Sequence, residues 1–212
     1  MNFKDKIIVV TGGSSGIGKQ IVIDLVDQGA LVCAISRNKK KLDKLLLESA
    51  NSKLFGFVCD VTKKDQTSNI FNDISKKFGN IYGLVNNVGV NPSRNNILNT
   101  TFDDWEKTLN VNLTGAYLCS KLVISQMLKK GHGSIVNISS IAGINALENR
   151  FAYMTSKWGL LGLSSSLAID FAKYNIRVNS ICPGYVKTPL VSKYLENLPK
   201  PNKKRLIESH LI

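Results

Sequence analysis

The sequence has few of the residues on which metal centres, disulfide frameworks and membrane spans depend. Its 212 residues include two histidines, four cysteines without C-x-x-C spacing and five prolines. The cysteines lie within apolar stretches, which predicts reduced core residues rather than a disulfide framework or a metal site. They are Cys33, Cys59, Cys119 and Cys182. No apolar run reaches the roughly 18 residues of a membrane span, and the N-terminus does not resemble a signal peptide. We therefore expect a cytoplasmic protein without a metal or a membrane partner.

Acidic residues are scarce relative to basic ones: 15 against 28, which gives a formal net charge of +13. Such an excess can indicate a nucleic-acid or acidic-protein partner. The positive residues are scattered, however, and their short clusters at residues 39–41, 129–130 and 203–205 lack interleaved aromatic residues. We expect solvated helix faces and no specific nucleic-acid partner.

Apolar, β-branched runs alternate with amphipathic segments along most of the chain. Residues 6–11 predict a buried parallel strand, and helical periodicity follows as far as Gly29. This pairing recurs up to a sixth strand at residues 175–182, without internal repeats. The pattern predicts an α/β doubly wound parallel sheet (Rossmann fold) in one catalytic domain, residues 1–190. Residues 191–212 would form a substrate-side loop or short helix and a C-terminal tail.

A glycine-rich turn, Thr11-Gly-Gly-Ser-Ser-Gly-Ile-Gly18, follows the first strand and opens the first helix. Strand, glycine turn and helix in this order are typical of a dinucleotide site. Gly12 allows the tight turn, whereas Gly16 and Gly18 allow the backbone, a pyrophosphate and the helix N-terminus to approach closely. The cofactor-binding residues predicted here are Gly12, Ser14, Ser15, Gly16, Ile17 and Gly18. A tight turn without a ligand is the alternative.

Tyr153 and Lys157 lie four residues apart in a helical segment and should project from the same face. A phenol with a pKa of about 10 is a poor acid–base catalyst at neutral pH. A cation one helical turn away can stabilise the phenolate and lower that pKa. The pair alone is a weak signal, because this spacing arises often by chance.

These features occur together with N-N-x-G at residues 86–89 and P-G-x-x-x-T at residues 183–188. In this order they resemble the motifs of the short-chain dehydrogenase/reductase family, over about residues 4–190. Val88 departs from the family's usual alanine. The resemblance implies an oxidoreductase that transfers a hydride between a nicotinamide and a small-molecule carbonyl or secondary alcohol.

The resemblance also implies four catalytic residues: Asn112, Ser140, Tyr153 and Lys157. Ser140 rather than Ser139 has the usual separation from the tyrosine (153 − 13 = 140). Tyr153 would protonate the substrate oxygen, and Lys157 would lower the tyrosine pKa and hold the nicotinamide ribose. Asn112 fits a local helix kink, near residues 110–115, whose freed carbonyl holds a water beside the lysine.

The second strand ends at Arg37, with no carboxylate before Asp43, and an arginine there accommodates the 2′-phosphate of NADP. The predicted cofactor is therefore NADP(H), although Arg37 could also be simply solvated. The resemblance also implies that Asp60 and Val61 meet the adenine, unless Asp60 caps the next helix. The remaining predicted cofactor contacts are Asn87, Gly89, Tyr153, Lys157, Val186 and Thr188.

The family normally continues with another helix and a seventh strand beyond the point where this sequence stops at Ile212. We therefore expect the sixth strand to form an exposed edge, in a naturally short or a truncated member. The family's dimer contact involves the helices near residues 106–130 and 151–173, both present here. We expect a homodimer, with a homotetramer as the further alternative.

Three functions remain open from the sequence. The first is an NADP-dependent carbonyl reductase or alcohol dehydrogenase. The second is a 3-oxoacyl-acyl-carrier-protein reductase, which the positive charge suits, although Gly131 stands where such reductases usually have an arginine. The third is a non-catalytic, cofactor-binding homologue. Substrate identity would depend on the loops at residues 91–100, 144–151 and 190–212.

Overall fold

The structure is a computed structural model that describes residues 3–196, and its centre is a six-stranded sheet. The strands are β1 (Ile7–Thr11), β2 (Leu31–Ser36), β3 (Leu54–Val58), β4 (Gly83–Asn86), β5 (Gly133–Ile138) and β6 (Ile176–Ile181). The helices are α1 (Gly16–Asp27), α2 (Lys39–Ser49), α3 (Lys64–Phe78), α4 (Phe102–Leu109), α5 (Gly115–Lys130), α6 (Phe151–Phe171) and α7 (Pro189–Glu196).

The strands are ordered β3-β2-β1-β4-β5-β6, and every neighbouring pair is parallel. The chain moves outward in one direction through β3 and then restarts at β4 on the other side of β1. This is the doubly wound arrangement, and it confirms the predicted fold class. The reversal between β1 and β4 creates a crevice at the carboxyl ends of the strands, where ligands of such sheets bind. Within the described residues β6 has a neighbour on one side only.

Both faces of the sheet are covered by helices, which explains why its strands are almost continuously apolar. On one face Val9 and Ile35 pack with residues of α3 and α5, including Phe71. On the other face Val10 and Ala34 pack with residues of α1 and α2. Successive strand residues thus alternate between two separate clusters of buried side chains.

A single π-helical turn, Asn110–Thr114, separates α4 from α5. Its wider winding is completed by the amide of Gly115, which donates to the carbonyl of Asn110. The predicted break in this helical stretch is therefore confirmed. Such turns occur mostly as local bulges and frequently at functional sites, and this one carries Asn112.

Some of the sequence-based predictions differ from the structure, and others lie outside the described residues. The proposed domain boundary at residue 190 falls inside α7, and residues 197–212 of the predicted tail lie outside the described residues. Cys33, Cys59 and Cys119 are buried as predicted, but the prediction for Cys182 was wrong. It is only half-buried, because it follows the edge strand β6. None of the helices in the described part of the chain combines the length and apolar character needed to cross a membrane.

Candidate active site

A cleft of about 770 Å³ lies where β1 and β4 diverge, a size within the usual range of cofactor sites. Twelve of the predicted site residues line it: Gly12, Ser15, Gly16, Ile17, Arg37, Asp60, Val61, Asn87, Gly89, Tyr153, Lys157 and Thr188. Five predicted residues are not among those that line it: Ser14, Gly18, Asn112, Ser140 and Val186. Other residues that line the cleft, beyond the predicted contacts, include Ser36, Asn38, Lys41, Val90 and Ser139.

The glycine turn is shaped by backbone conformations that other residues adopt only with strain. Gly12 and Gly16 have φ angles of +67° and +53°. A side chain at Gly18 would collide with the carbonyl oxygen of Gly12 and with Asn87. In the described chain, the N-cap Ser15 makes no side-chain capping bond to α1, and the first turn of α1 carries no acidic residue. The first amides of α1 therefore border an open cleft, as an anion site requires.

Asn87 holds the glycine turn against β4. Its side-chain nitrogen donates to the carbonyl oxygens of Thr11 at 3.2 Å and Gly12 at 3.3 Å. Its amide donates to the Thr11 hydroxyl at 3.0 Å. The neighbouring Asn86 points away from the cleft, into a buried network with Ser120 and Asn137. Asn87 thus fixes the turn itself, and its contact with a cofactor stays a prediction.

Polar side chains from three elements gather at the end of the cleft beside β2 and β3. Arg37 and Asp60 form an ion pair of 3.7 Å, and the side chain of Arg37 is 55% exposed. Ser14 donates from its hydroxyl to that of Ser36 at 2.7 Å. Lys41, one turn into α2, lines the same end of the cleft. This end therefore presents two cations with exposed donors.

The alternative interpretation of Asp60 as a helix cap was wrong. Helix α3 begins three residues beyond Val61, and its N-cap is Lys63. Asp60 instead accepts hydrogen bonds from the amide and the hydroxyl of Thr62, at 3.0 and 2.8 Å. Burial raises the pKa of Asp60, but these bonds and the charge of Arg37 bring that pKa below its ordinary value. The carboxylate is therefore ionised at neutral pH, and the hydrogen bonds from Thr62 fix its orientation.

Tyr153 and Lys157 line the other end of the cleft, and Ser140 lies beside the Tyr153 phenol without lining the cleft itself. Tyr153 and Lys157 lie in the first two turns of α6, and the Lys157 nitrogen is 5.7 Å from the centre of the tyrosine ring. Ser140 follows β5, and its side chain hydrogen-bonds the phenol. Ser139 is buried and donates to the carbonyl oxygen of Lys157 at 3.0 Å. The structure therefore brings Ser140 to the phenol and gives Ser139 a contact inside the fold.

The pKa of Tyr153 is shifted in the direction opposite to our expectation. Burial of the phenol raises its pKa, while the hydrogen bond with Ser140 and the charge of Arg150 act against this rise. Lys157 is not among the groups that shift the tyrosine pKa in the protein chain alone. Its ammonium is turned toward the sheet and donates to the carbonyl oxygen of Ile138 at 2.8 Å. Burial lowers the pKa of Lys157 to about 8.

Asn112 connects the π-helical turn to the loop after β4 and to α6. Its side-chain oxygen accepts from the amide of Val90 at 2.8 Å, and its nitrogen donates to the Val90 carbonyl and to the Ser156 hydroxyl, both at 2.9 Å. A side chain at Gly89 would lie 3.5 Å from the Lys157 nitrogen. Asn112 therefore positions the backbone beside Lys157. Sequence reasoning missed Val90 and Ser156, although Ser156 lies within the Tyr153–Lys157 motif.

Thr188 and Val186 follow β6 at the entrance to α7. The methyl group of Thr188 would lie 3.3 Å from a side chain at Gly16, so this segment borders the glycine turn. The Thr188 hydroxyl accepts from the amide of Val191 at 3.3 Å and so caps α7. Val186 is 38% exposed. Of these two predicted nicotinamide contacts, only Thr188 lines the cleft.

The described residues contain no group of His, Cys, Asp or Glu side chains that could hold a metal ion. The titratable groups at the cleft are instead a tyrosine, two lysines, an arginine, an aspartate and a cysteine. Together with hydroxyl groups and an open helix N-terminus, they suit an anionic cofactor at one end of the cleft and proton transfer at the other.

Comparison with known proteins identifies relatives along nearly the whole chain. The model of the short chain dehydrogenase family matches residues 6–199. The chain is 36% identical to a 3-oxoacyl-acyl-carrier-protein reductase of Thermotoga maritima, over 92% of this chain and 80% of that protein. A solved levodione reductase superposes with a TM-score of 0.91 at 29% identity, over 98% and 82% of the two chains. An NAD⁺-bound xylitol dehydrogenase superposes with a TM-score of 0.84 at 31% identity, over 98% and 76%.

Proposed function

Because the chain belongs to the short-chain dehydrogenase family, we propose that it is an NADP(H)-dependent enzyme that interconverts a carbonyl compound and a secondary alcohol. In the reducing direction, the carbonyl compound, NADPH and a proton give the alcohol and NADP⁺. The observation that carries the proposal is that Tyr153 and Lys157 line one end of a cleft, with Ser140 beside the phenol, and that a glycine turn and Arg37 line the cleft further along. We assign residues 1–190 to the catalytic domain.

The residues of the cleft fit a nicotinamide dinucleotide. Gly12, Gly16 and Gly18 leave the space that side chains would fill, and the first amides of α1 border it. A solved relative with NAD⁺ bound supports the same cofactor class. When bound, the nicotinamide supplies the hydride. The predicted contacts of Asn87, Gly89, Val186 and Thr188 with this cofactor remain part of the proposal.

Ser140 and Tyr153 act on the substrate oxygen. The Ser140 side chain interacts with the Tyr153 phenol, so one carbonyl oxygen placed between them could accept from both hydroxyl groups. The raised pKa of Tyr153 keeps the phenol protonated at neutral pH, so that it can give its proton to the oxygen during reduction. Lys157 then returns a proton to Tyr153 and holds the ribose. Asn112 fixes the backbone at Val90, on the path by which protons would reach Lys157.

The preference for NADP(H) rests on the charges beside β2. An arginine binds a phosphate with paired donors, whereas a carboxylate at the end of β2 would select the ribose hydroxyl of NAD. Here Arg37 stands in that place, and Lys41 lines the same end of the cleft. Asp60 already pairs with Arg37 and so orients its guanidinium. Val61 is buried beside Asp60 and offers its backbone to the adenine.

A 3-oxoacyl-acyl-carrier-protein reductase is the second candidate, and the Thermotoga maritima relative favours it. The net charge of +13 suits an acidic carrier protein. Against it, the position expected to hold an arginine is Gly131, which has a φ of +69° at the end of α5. An arginine would be strained in that conformation.

We further propose a homodimer built on α5 and α6. Trp158 and Ile169 are 51% and 80% exposed on α6 and lie three turns apart (169 − 158 = 11), on one face of the helix. Tyr117 is exposed on α5. Both helices pack against the same face of the sheet, and exposed large apolar side chains of this kind are typical of a protein interface. A homotetramer would need a second surface.

Two adjacent serines provide the experiment that tests this function. NADPH oxidation is followed with a panel of neutral ketones for the wild type, Ser140→Ala and Ser139→Ala. We expect Ser140→Ala to lower kcat by about 100-fold or more, as for loss of an oxyanion donor. We expect Ser139→Ala to lower the free energy of unfolding by about 1 kcal/mol, with a far smaller effect on kcat. Equal turnover in the wild type and Ser140→Ala would refute the proposed site.

A further inference from the structure

Two arginines and two tyrosines form a cationic cluster beside the catalytic tyrosine, which we call the arginine cluster: Arg94, Arg150, Tyr185 and Tyr194. The guanidinium carbon of Arg94 lies 3.0 Å from the centre of the Tyr194 ring, and that of Arg150 lies 5.7 Å from the same centre. The ring of Tyr185 stacks on Tyr194 at 6.2 Å and 17°. Both arginines therefore converge on one aromatic ring.

Three separate segments build this cluster. Arg94 lies in the loop after β4, Arg150 is the N-cap residue of α6, and Tyr194 belongs to α7. These segments overlap the three loops in which the sequence places substrate identity. None of the four residues of the arginine cluster lines the cofactor cleft. The cluster is therefore separate from the residues that line the cofactor cleft.

The two positive charges have no carboxylate partner among residues 3–196. The ion pairs of the described residues involve neither arginine. The guanidinium of Arg150 donates to the neighbouring carbonyl oxygen of Asn149, at 3.1 Å. Burial lowers the pKa of Arg94, and the charge of Arg150 lowers that pKa further. Two like charges held together at a partly buried site favour the binding of an anion.

The arginine cluster lies within electrostatic reach of the reacting end of the site. Arg150 is the N-cap residue of α6 and precedes Tyr153 by three residues. Both Arg150 and Tyr185 act on the ionisation of the Tyr153 phenol. An anion bound between the arginines would thus lie close to a carbonyl group held by Ser140 and Tyr153.

We propose that Arg94 and Arg150 bind an anionic group of the substrate, a carboxylate or a phosphate ester that lies a few bonds from the reacting carbonyl. Planar guanidinium groups match both kinds of oxyanion with paired hydrogen bonds. The preferred substrates are then keto acids or phosphorylated ketones and their alcohols. This inference rests on the proposed oxidoreductase function and adds the class of substrate.

Matched pairs of probes test the inference. The value of kcat/KM with NADPH is measured for 4-oxopentanoate against its methyl ester, and for dihydroxyacetone phosphate against dihydroxyacetone. We expect kcat/KM for at least one charged probe to exceed that for its neutral partner by about 10-fold or more. Arg94→Gln and Arg150→Gln should each remove most of this preference through KM and leave the neutral probes within about threefold. The control is Arg177→Gln, which removes an exposed arginine bonded to Ser134 on the sheet edge. It should change neither the preference for charged probes nor kcat/KM for the neutral probes.

The opposite results would overturn the inference. Equal kcat/KM within both pairs, or an equal loss on charged and neutral probes in Arg150→Gln, excludes an anion site. Acetoacetyl-CoA, whose reacting end has no carboxylate, serves as a further arm. If it is preferred over every other probe and both glutamine variants leave that preference intact, the inference is wrong. Should Arg94→Gln fail to fold, Arg150→Gln decides, since its guanidinium lies further from the ring.

A binding measurement separates this inference from the proposed function. The melting temperature is recorded with NADP⁺ and either 4-oxopentanoate or its methyl ester. If no probe is turned over, a rise with the charged probe that Arg150→Gln abolishes still supports the anion site, and no rise overturns it. If neutral ketones are reduced but charged probes neither bind nor react better, the proposed function stands and the inference fails.

Discussion

The ammonium nitrogen of Lys157 donates a hydrogen bond to the carbonyl oxygen of Ile138 at 2.8 Å, at the carboxyl end of β5. The residue is only 3% exposed, and burial lowers its pKa to about 8. The buried charge of Lys157 thereby joins the end of β5 to the start of α6. A cation at this place has a cost in stability and a defined pH dependence.

The charge of Lys157 should make unfolding depend on pH in a specific window. Its pKa is lowered from 10.5 to about 8, so the unfolded chain binds the additional proton between these values. The cost of the buried charge, roughly 3 kcal/mol at 1.36 kcal/mol per unit, is therefore present below pH 8 and is relieved as the pH rises toward 10.5. Chemical denaturation of the wild type and Lys157→Met should show a wild-type stability that rises relative to the variant over this window.

The control for this prediction is Lys64→Met, in the exposed first turn of α3. Its stability should follow that of the wild type at every pH. A constant difference between the wild type and Lys157→Met from pH 7 to pH 10 would show that the lysine pKa is not lowered by folding.

Tyr153→Phe should abolish turnover without loss of cofactor binding. The phenol is the proposed proton donor, and such general acids contribute about 10²- to 10⁴-fold to the rate. We therefore expect kcat to fall by that factor, while NADPH raises the melting temperature as in the wild type. Tyr174→Phe, in the short exposed turn that follows α6, is the matched control and should retain full activity. An active Tyr153→Phe enzyme would remove this residue from the mechanism.

Arg37→Ala should weaken the binding of NADPH by about 10- to 100-fold, as expected for loss of a charged hydrogen bond, and leave NADH unchanged. Lys41→Ala should show the same selectivity with a smaller effect, because this side chain lies at the margin of the cleft. Lys40→Ala, which does not line the cleft, is the control. Dissociation constants from protein fluorescence measure all three. An Arg37→Ala variant that loses both cofactors equally would mean that the arginine only supports the fold through Asp60.

Trp158→Glu should convert the proposed dimer into a monomer. The side chain is 51% exposed on α6, and a charge placed in an interface core is not tolerated there. Sedimentation velocity should give the mass of one chain for the variant and of two for the wild type. Leu47 lies on α2 and is 81% exposed, so Leu47→Glu should leave the wild-type mass unchanged. A dimeric Trp158→Glu variant would place the interface elsewhere.

The order of strands and helices could be predicted because each element carries its own local signal. Apolar runs give the strands, glycines end the helices, and an asparagine inside a helical pattern marks the π-helical turn at Asn110–Thr114. Some predicted element ends differ from the structure by one or two residues, because caps and short turns determine where an element stops. The helix predicted to end at Lys173, for example, ends at Phe171. The approach of Tyr153 to Lys157 likewise follows from helical spacing.

What could not be predicted depends on contacts between distant parts of the chain. The direction of the Tyr153 pKa shift follows from burial of the phenol and from the turn of Lys157 toward Ile138, and neither has a local signal. The arginine cluster joins residues one hundred positions apart (194 − 94 = 100). The bonds from Asn112 to Val90 join the π-helical turn to the loop after β4, two segments that only the fold brings together.

The most direct test of an NADP(H)-dependent enzyme is a thermal melt of the purified chain with saturating NADPH or NADH. A ligand at 100 times its dissociation constant adds about 2.7 kcal/mol, which is readily measured. We expect a cooperative transition that NADPH raises clearly and NADH much less. No shift with either cofactor, or a larger shift with NADH, would contradict the proposed function at its cofactor site.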